Sequence, residues 1–358
     1  MLKIKSIKTK KIPNLYVGKK IYGNKYSSII IIETNRSNLV GFGETYLSVY
    51  VPEIINYCIK YFSEKLINQN PLEIEKNINN LKIPFVTHNG LIKGLISGIE
   101  IALWDIKAKF YKKPLFKLLN KNQYKNKVSC YASSGALKLE SKQLKQDVSN
   151  VLKDGFTAYK MRIGNLKWKK DIQRIRAVKE KLGQNSLMID AIMGSHTKKW
   201  TELETLKKVK FLSKFNPTWI EEPLDPYNIY DYKILKKKTK IPIAFGEQYT
   251  TFEEFFSVIK NNCSDFIQPD ITMTGYIDAK KIISLVKKEK KKIALHVWGS
   301  PISFLSNLHF AIAFNEVNWL EVPYSNFNKI NTLLNNNLII ENGKISFKNT
   351  DFYGLGYK

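Results

Sequence analysis

Seven short apolar runs between residues 157 and 321 each stop on an ionisable side chain. They are TAYK at Lys160, SLMID at Asp190, TWIE at Glu221, IAFGE at Glu247, DFIQPD at Asp270, IALH at His296 and NWLE at Glu321. The spacings are 30, 31, 26, 23, 26 and 25 residues, each enough for one strand, one helix and two loops. The earlier run VSCYASS brings the strand count to eight. Eight βα units at this pitch close into a barrel whose strand C-termini gather at one mouth. An open doubly wound sheet is the alternative, but it does not collect seven strand ends at one place. A single strand-terminal acid is ordinarily a solvated loop residue; seven in register point to a site.

The first third has a different pattern. Residues 3–12 alternate, 27–33 are a β-branched run, and 39–46 contain Gly41 and Gly43, which together suggest a short antiparallel sheet. Helical periodicity covers about 52–81 and about 91–111.

The net charge of +27, from 58 Lys+Arg against 31 Asp+Glu, raises the question of a nucleic-acid partner. Only Arg36, Arg162, Arg174 and Arg176 are arginines, and the 54 lysines are scattered along the chain. Nucleic-acid surfaces use arginine forks and concentrate their charge, so compositional drift explains the blend better and no nucleic-acid partner is expected. No run reaches the ~20 apolar residues of a membrane span, and the basic start lacks an apolar stretch of signal-peptide length. Cys58, Cys130 and Cys263 are odd in number and far apart, as expected of reduced thiols in a cytoplasmic protein.

The strand ends carry the chemistry. Asp190, Glu221 and Glu247 end three successive strands, and carboxylates brought together repel unless a cation holds them. Hard oxygen ligands without cysteine suit Mg2+, one ion per chain, bound as an open Lewis-acid site. A carboxylate–lysine network at the barrel rim is the plainer use. His296 follows Asp270 by one βα unit, so a carboxylate can fix its tautomer and leave the other nitrogen as a general base or acid. Lys160 and Arg162 share one face of their strand, where a cationic pair neutralises a carboxylate or a developing enediolate. Glu321 is placed to hydrogen-bond the enediolate if it stays protonated.

These residues resemble the enolase superfamily, in its mandelate racemase/muconate lactonizing enzyme family and the mandelate racemase-like subgroup. The likeness spans nearly the whole chain. SGIEIALWDIKAKFYKKPLFKLL, with Trp104 and Asp105, looks like the family's capping helix. YKMRIG, LMIDA, WIEEPL, FGEQ, QPD and LHVWGSP follow in family order, and FYGLG matches its tail. The resemblance implies an α/β fold, a TIM-like (β/α)7β barrel at 123–328. It also implies an α+β capping domain at 1–122, to which a C-terminal segment at 329–358 returns. It implies Mg2+ on Asp190, Glu221 and Glu247, a His296–Asp270 dyad, and catalytic Lys160, Arg162 and Glu321. It further implies a homo-oligomer, dimer to octamer, and cap loops at about 13–28 and 45–52 that close over a small carboxylate substrate. Tyr22, Tyr46 and Tyr50 are the substrate-contact guesses in those loops.

Two departures from the family pattern narrow the reaction. Arg162 stands where many members carry a second lysine, and a guanidinium effectively cannot lose its proton. One dominant base, His296, favours elimination of water over two-base racemisation. Ile192 stands where an asparagine is frequent, which suggests a more apolar pocket near Met193, with His196 either a polar substitute from the loop or, more simply, an exposed loop histidine. The expected activity is an Mg2+-dependent acid-sugar dehydratase. A racemase or epimerase and a lactone cycloisomerase are rivals within the fold, and a lysine-rich nucleic-acid-binding scaffold is the rival outside it.

Overall fold

The computed structural model describes residues 1–13, 26–86 and 89–357. Strands β1 (Ile4–Pro13), β2 (Tyr26–Thr34) and β3 (Val40–Glu44) form an antiparallel sheet in that order. β2 lies in the middle, with Ile30 and Ile32 in the core of this first unit and Ile29 and Ile31 in the main core. Burial on both faces explains an uninterrupted isoleucine run where a one-sided strand would alternate. Helices α1 (Pro52–Leu66), α2 (Ile74–Asn80) and α3 (Gly90–Phe110) follow. The periodic stretch over 52–81 is therefore two helices. It breaks where Asn68 takes φ +64° ahead of Pro71, which has no N–H to continue a helix. A Cβ on Gly41 would collide with the Ala102 carbonyl, and one on Gly43 with that of Gly98, so the two glycines let β3 lie against the α3 backbone.

After a short helix α4 (Phe116–Leu119) come eight parallel strands: β4 (Val128–Ser133), β5 (Ala158–Arg162), β6 (Ser186–Asp190), β7 (Trp219–Glu221), β8 (Ile243–Phe245), β9 (Phe266–Ile267), β10 (Lys292–Leu295) and β11 (Val317–Pro323). Sequence neighbours pair in order, and β11 pairs back onto β4 with Glu321 opposite Tyr131, closing the barrel. Seven helices link the strands: α5 (Ser141–Lys153), α6 (Trp168–Leu182), α7 (Glu202–Leu212), α8 (Ile229–Lys238), α9 (Phe252–Lys260), α10 (Ile271–Lys288) and α11 (Pro301–Ala313). Helix α12 (Tyr324–Leu333) follows the last strand.

The barrel interior is layered. One cluster takes a residue from every strand: Tyr131, Ala158, Met188, Trp219, Ala244, Phe266, Ala294 and Trp319. Large and small side chains fill it as a packed plug. Because strand side chains repeat every second residue, the next inward positions toward the C-terminal mouth are Ser133, Lys160, Asp190, Glu221, Gly246, Gln268, His296 and Glu321. The polar layer thus sits directly on the apolar plug.

The chain end ties the two units together. Hairpin β12 (Leu338–Glu341) and β13 (Lys344–Phe347) adds β13 antiparallel to the start of β4, with Ile345 opposite Val128. Beyond it, Asp105 of α3 accepts hydrogen bonds from the Leu355 N–H (2.8 Å) and, on its other oxygen, from the Phe42 N–H (3.0 Å). Among the described residues no helix is long and apolar enough to cross a membrane.

Candidate active site

β5 brings Lys160 into the middle of the polar layer. Its Nζ lies 2.6 Å from Glu221 Oε1, 3.1 Å from Glu321 Oε1 and 3.6 Å from Asp190 Oδ2, and the residue is 1% exposed. Burial alone would lower the ammonium, but Glu221 and Glu321 outweigh it and hold Lys160 well above the ordinary lysine range. Lys160 is a fixed cation. Arg162, two residues on, donates to the Ser134 carbonyl (3.0 Å) and Ser133 Oγ (3.2 Å), with Nε 3.8 Å from Asp190 Oδ2.

Asp190 and Glu221 are direct register partners on β6 and β7, and Glu247 follows β8. Trp219 Nε1–H donates to Glu221 Oε2 (3.1 Å), and the Ile192 N–H donates to Asp190 Oδ1 (2.8 Å). Burial and the neighbouring Glu221 push the Asp190 carboxyl up to about 8, and burial also raises Glu247. Among the described residues no three His, Cys, Asp or Glu side chains are gathered closely enough to form a ready metal site, and the Lys160 ammonium lies on Glu221. The donor set still fits a hard divalent cation: the buried carboxylates of Asp190 and Glu221, the half-buried carboxylate of Glu247, and no thiolate.

His296 Nδ1 lies 2.9 Å from Asp270 Oδ2, and Nε2 lies 3.5 Å from Glu247 Oε2. Burial works against the imidazolium, but Glu247 and Asp270 overcome it and raise His296 to about 9. Asp270 is itself fixed. Its Oδ1 accepts from the Thr272 N–H (2.8 Å), Thr272 Oγ1 (2.7 Å) and Asn307 Nδ2 (3.0 Å), as the N-cap of α10. Glu321 accepts from the Val297 N–H (3.2 Å). The sequence expectation for Glu321 required a protonated carboxyl. Burial does favour that form, but Lys160 and His296 outweigh it and bring Glu321 down to about 2, so it stands here as a carboxylate.

The substrate-contact residues divide. Tyr46 comes to the dyad, its ring centroid 6.0 Å from that of His296, and its hydroxyl lies 3.1 Å from the Tyr50 hydroxyl. Ile192 adopts a left-handed conformation (φ +46°) beside Asp190 and is half-buried. Met193 does not line a pocket: it is fully buried, and its sulfur accepts from the Trp200 N–H (3.2 Å). His196 has no described contact with the polar layer, and among the described residues its buried Nε2 has no hydrogen-bond partner. Tyr22 and most of the 13–28 loop lie outside the described residues.

Other residues join the site without having been singled out. Glu44, at the end of β3, is fully buried and accepts from Ser300 N–H and Oγ, Ser303 N–H (3.0 Å) and Ser48 Oγ (2.7 Å). It fastens the N-terminal sheet to the loop that follows His296. Glu222 and Gln248 hydrogen-bond to each other beside Glu221 and Glu247. The doubled acid in WIEEPL and the polar pair in FGEQ are their only sequence signal.

A closed barrel with acids, a cationic lysine and a histidine–carboxylate pair in one layer, joined to a separate α+β unit, has the architecture of a barrel enzyme with its site at the strand C-termini. The chain belongs to the enolase superfamily, in the mandelate racemase/muconate lactonizing enzyme family. The domain described as "Enolase C-terminal domain-like" matches residues 143–358, and the "Mandelate racemase / muconate lactonizing enzyme, N-terminal domain" matches residues 21–120. An L-talarate/galactarate dehydratase of Salmonella typhimurium is 33% identical over 92% of this chain and 80% of its own length. An arabinonate dehydratase of Saccharolobus solfataricus is 30% identical over 73% of this chain and 69% of its own. The crystal structure of the Salmonella typhimurium enzyme liganded with Mg and L-lyxarohydroxamate superposes with a TM-score of 0.82 at 29% identity, covering 100% of this chain and 90% of the other. Cycloisomerases and a racemase are among the further matches.

Proposed function

We propose that this chain is an Mg2+-dependent acid-sugar dehydratase. It removes the α-proton of a hydroxy carboxylate and expels the β-hydroxyl, and the resulting enol tautomerises to a 2-keto acid. The observation that carries the reading is the single polar layer of Lys160, Asp190, Glu221, His296 and Glu321, in a chain 33% identical to a talarate/galactarate dehydratase.

Asp190, Glu221 and Glu247 would hold the cation, and Mg2+ bound there supplies Lewis-acid positive charge to the substrate carboxylate. Losing an α-proton next to a carboxylate creates a dianion, and Lys160 and Arg162 hold permanent positive charge where that dianion develops. His296, oriented by Asp270, exchanges a proton through Nε2 with the α-carbon or the departing hydroxyl. Arg162 does not serve as a second base, which favours elimination over racemisation. Glu321, ionised beside Lys160, acts on the lysine charge and not as a proton donor. Tyr46 and Tyr50 meet the substrate from the N-terminal unit.

The chain would work in the cytoplasm as a homo-oligomer, in three segments, 1–122, 123–328 and 329–358. Three unpaired cysteines support the compartment, and the family likeness supports the assembly. The test is a panel of acid sugars with Mg2+, read for 2-keto acid. A productive substrate whose turnover is lost in His296→Asn is expected. Exchange of the α-proton with D2O without keto acid would replace dehydration by epimerisation, and no keto acid from any member would overturn the proposal.

A further inference from the structure

Glu222 follows Glu221, and Gln248 follows Glu247, so each lies one residue past a carboxylate of the cation set. The Glu222 side chain is buried, the residue being 2% exposed, and it accepts from Gln248 Nε2 at 3.2 Å on Oε2 and 3.4 Å on Oε1. Its backbone reaches both neighbouring strands: the Glu222 N–H donates to the Ala244 carbonyl (3.0 Å), and the Met193 N–H donates to the Glu222 carbonyl (3.0 Å). The ends of β6, β7 and β8 therefore meet in one residue. Glu222 holds φ +39°, a left-handed conformation that a residue with a side chain adopts at a cost. Gly194, just past β6, packs so tightly on the pair that a Cβ there would collide with both Glu222 Oε2 and Gln248 Nε2. The Glu222 N–H bond completes the last β7–β8 pair, Glu221 opposite Ala244, whereas the Met193 N–H bond lies past the last β6–β7 pair, Asp190 opposite Glu221.

We infer that Glu222 and Gln248 are a positioning pair that sets the spacing of Asp190, Glu221 and Glu247 for a divalent cation. The inference rests on the cation reading above. Neither residue is given a ligand's role; the pair acts by tying together the three backbone segments that carry the carboxylates. Metal affinity depends steeply on such supporting contacts, which hold first-sphere oxygens at bonding geometry.

The experiment is a calorimetric titration of the full chain with Mg2+, with thermal melts in the same buffer. Glu222→Ala and Gln248→Met are expected to weaken Mg2+ binding by about 10- to 100-fold. Glu222→Gln keeps an acceptor oxygen for Gln248 and is expected to recover most of the affinity. Gly194→Ala touches none of the three carboxylates and is expected to weaken binding by wedging the pair apart. The double variant Glu222→Ala/Gln248→Met should bind no more weakly than its worse single member, because both remove one interaction. Variants that melt earlier yet keep wild-type Mg2+ affinity would assign the pair to packing and overturn the inference. If Glu222→Ala does not fold, Gln248→Met and Gly194→Ala decide the matter by the same readout. A wild-type chain that takes up no Mg2+ overturns the cation reading itself, a result distinct from unchanged affinity in the variants.

Discussion

Lys160 Nζ lies 2.6 Å from Glu221 Oε1 at the centre of the barrel, with Glu321 and Asp190 on its other sides. One buried ammonium thus faces three carboxylates. Lys160→Met keeps the volume and removes the charge, leaving an uncompensated acidic cluster that costs about 3–5 kcal/mol at neutral pH. The loss should appear as a lower urea midpoint. Without the lysine the native carboxyls bind protons more tightly than in the unfolded chain, so the deficit shrinks as pH falls. A deficit independent of pH would contradict the charge balance drawn here.

The dyad gives a sharper separation of stability from chemistry. In Asp270→Asn an amide oxygen can still accept from Thr272 and Asn307, so the α10 cap survives. The amide NH2 then replaces the oxygen that faces His296 Nδ1, which forces Nδ1 to accept and puts the proton on Nε2. Turnover should fall by about 10²–10⁴ while the melting temperature moves little. Equal losses of stability and activity would make Asp270 a structural cap alone.

Legibility followed the range of the interaction. The barrel, the polar strand ends and the two-residue spacing of Lys160 and Arg162 depend on local periodicity, and a single chain displays periodicity directly. The break between α1 and α2 was hidden because apolar residues continue on both sides of Asn68. Glu44 was illegible for a different reason: its partners Ser300 and Ser303 are more than 250 residues away, and LHVWGSP, which contains Ser300, gives no sign of a partner in β3. The burial of Met193 was not legible because a side chain's direction in a loop after a strand depends on the backbone turn, and Ile192 just before it is left-handed. The charge on Glu321 was beyond the sequence because it depends on how closely Lys160 approaches.

Glu44 leads to a third prediction. Glu44→Ala leaves Ser300 N–H and Oγ, Ser303 N–H and Ser48 Oγ without their acceptor inside the protein. Unsatisfied buried donors cost about 1–3 kcal/mol each, partly relieved where water enters. The same change loosens the loop after His296 and the segment carrying Tyr46, so kcat/KM should fall by about ten-fold or more. Loss of stability with unchanged kcat/KM would confine Glu44 to folding.

His309 supplies a pH dependence far from the polar layer. Its Nδ1 accepts from the Phe116 N–H (3.2 Å), and its Nε2 lies 3.2 Å from the Leu355 carbonyl, so the neutral ring with hydrogen on Nε2 links α11, α4 and the chain end. Burial lowers its pKa to about 4, and the Leu355 carbonyl only partly opposes this. The unfolded histidine titrates near 6.5, so between those values the unfolded chain binds the proton and the native chain does not. His309 thus contributes its full stability above about pH 6.5. That contribution is lost progressively as pH falls toward 4, by about 3 kcal/mol in all. His309→Phe keeps an aromatic ring between Phe116 and Phe347 but has no proton to take up. Other groups titrate equally in both proteins, so the comparison isolates His309. The wild-type advantage in unfolding free energy, measured from urea midpoints, should shrink from pH 7 to pH 4; a constant difference would refute the assignment.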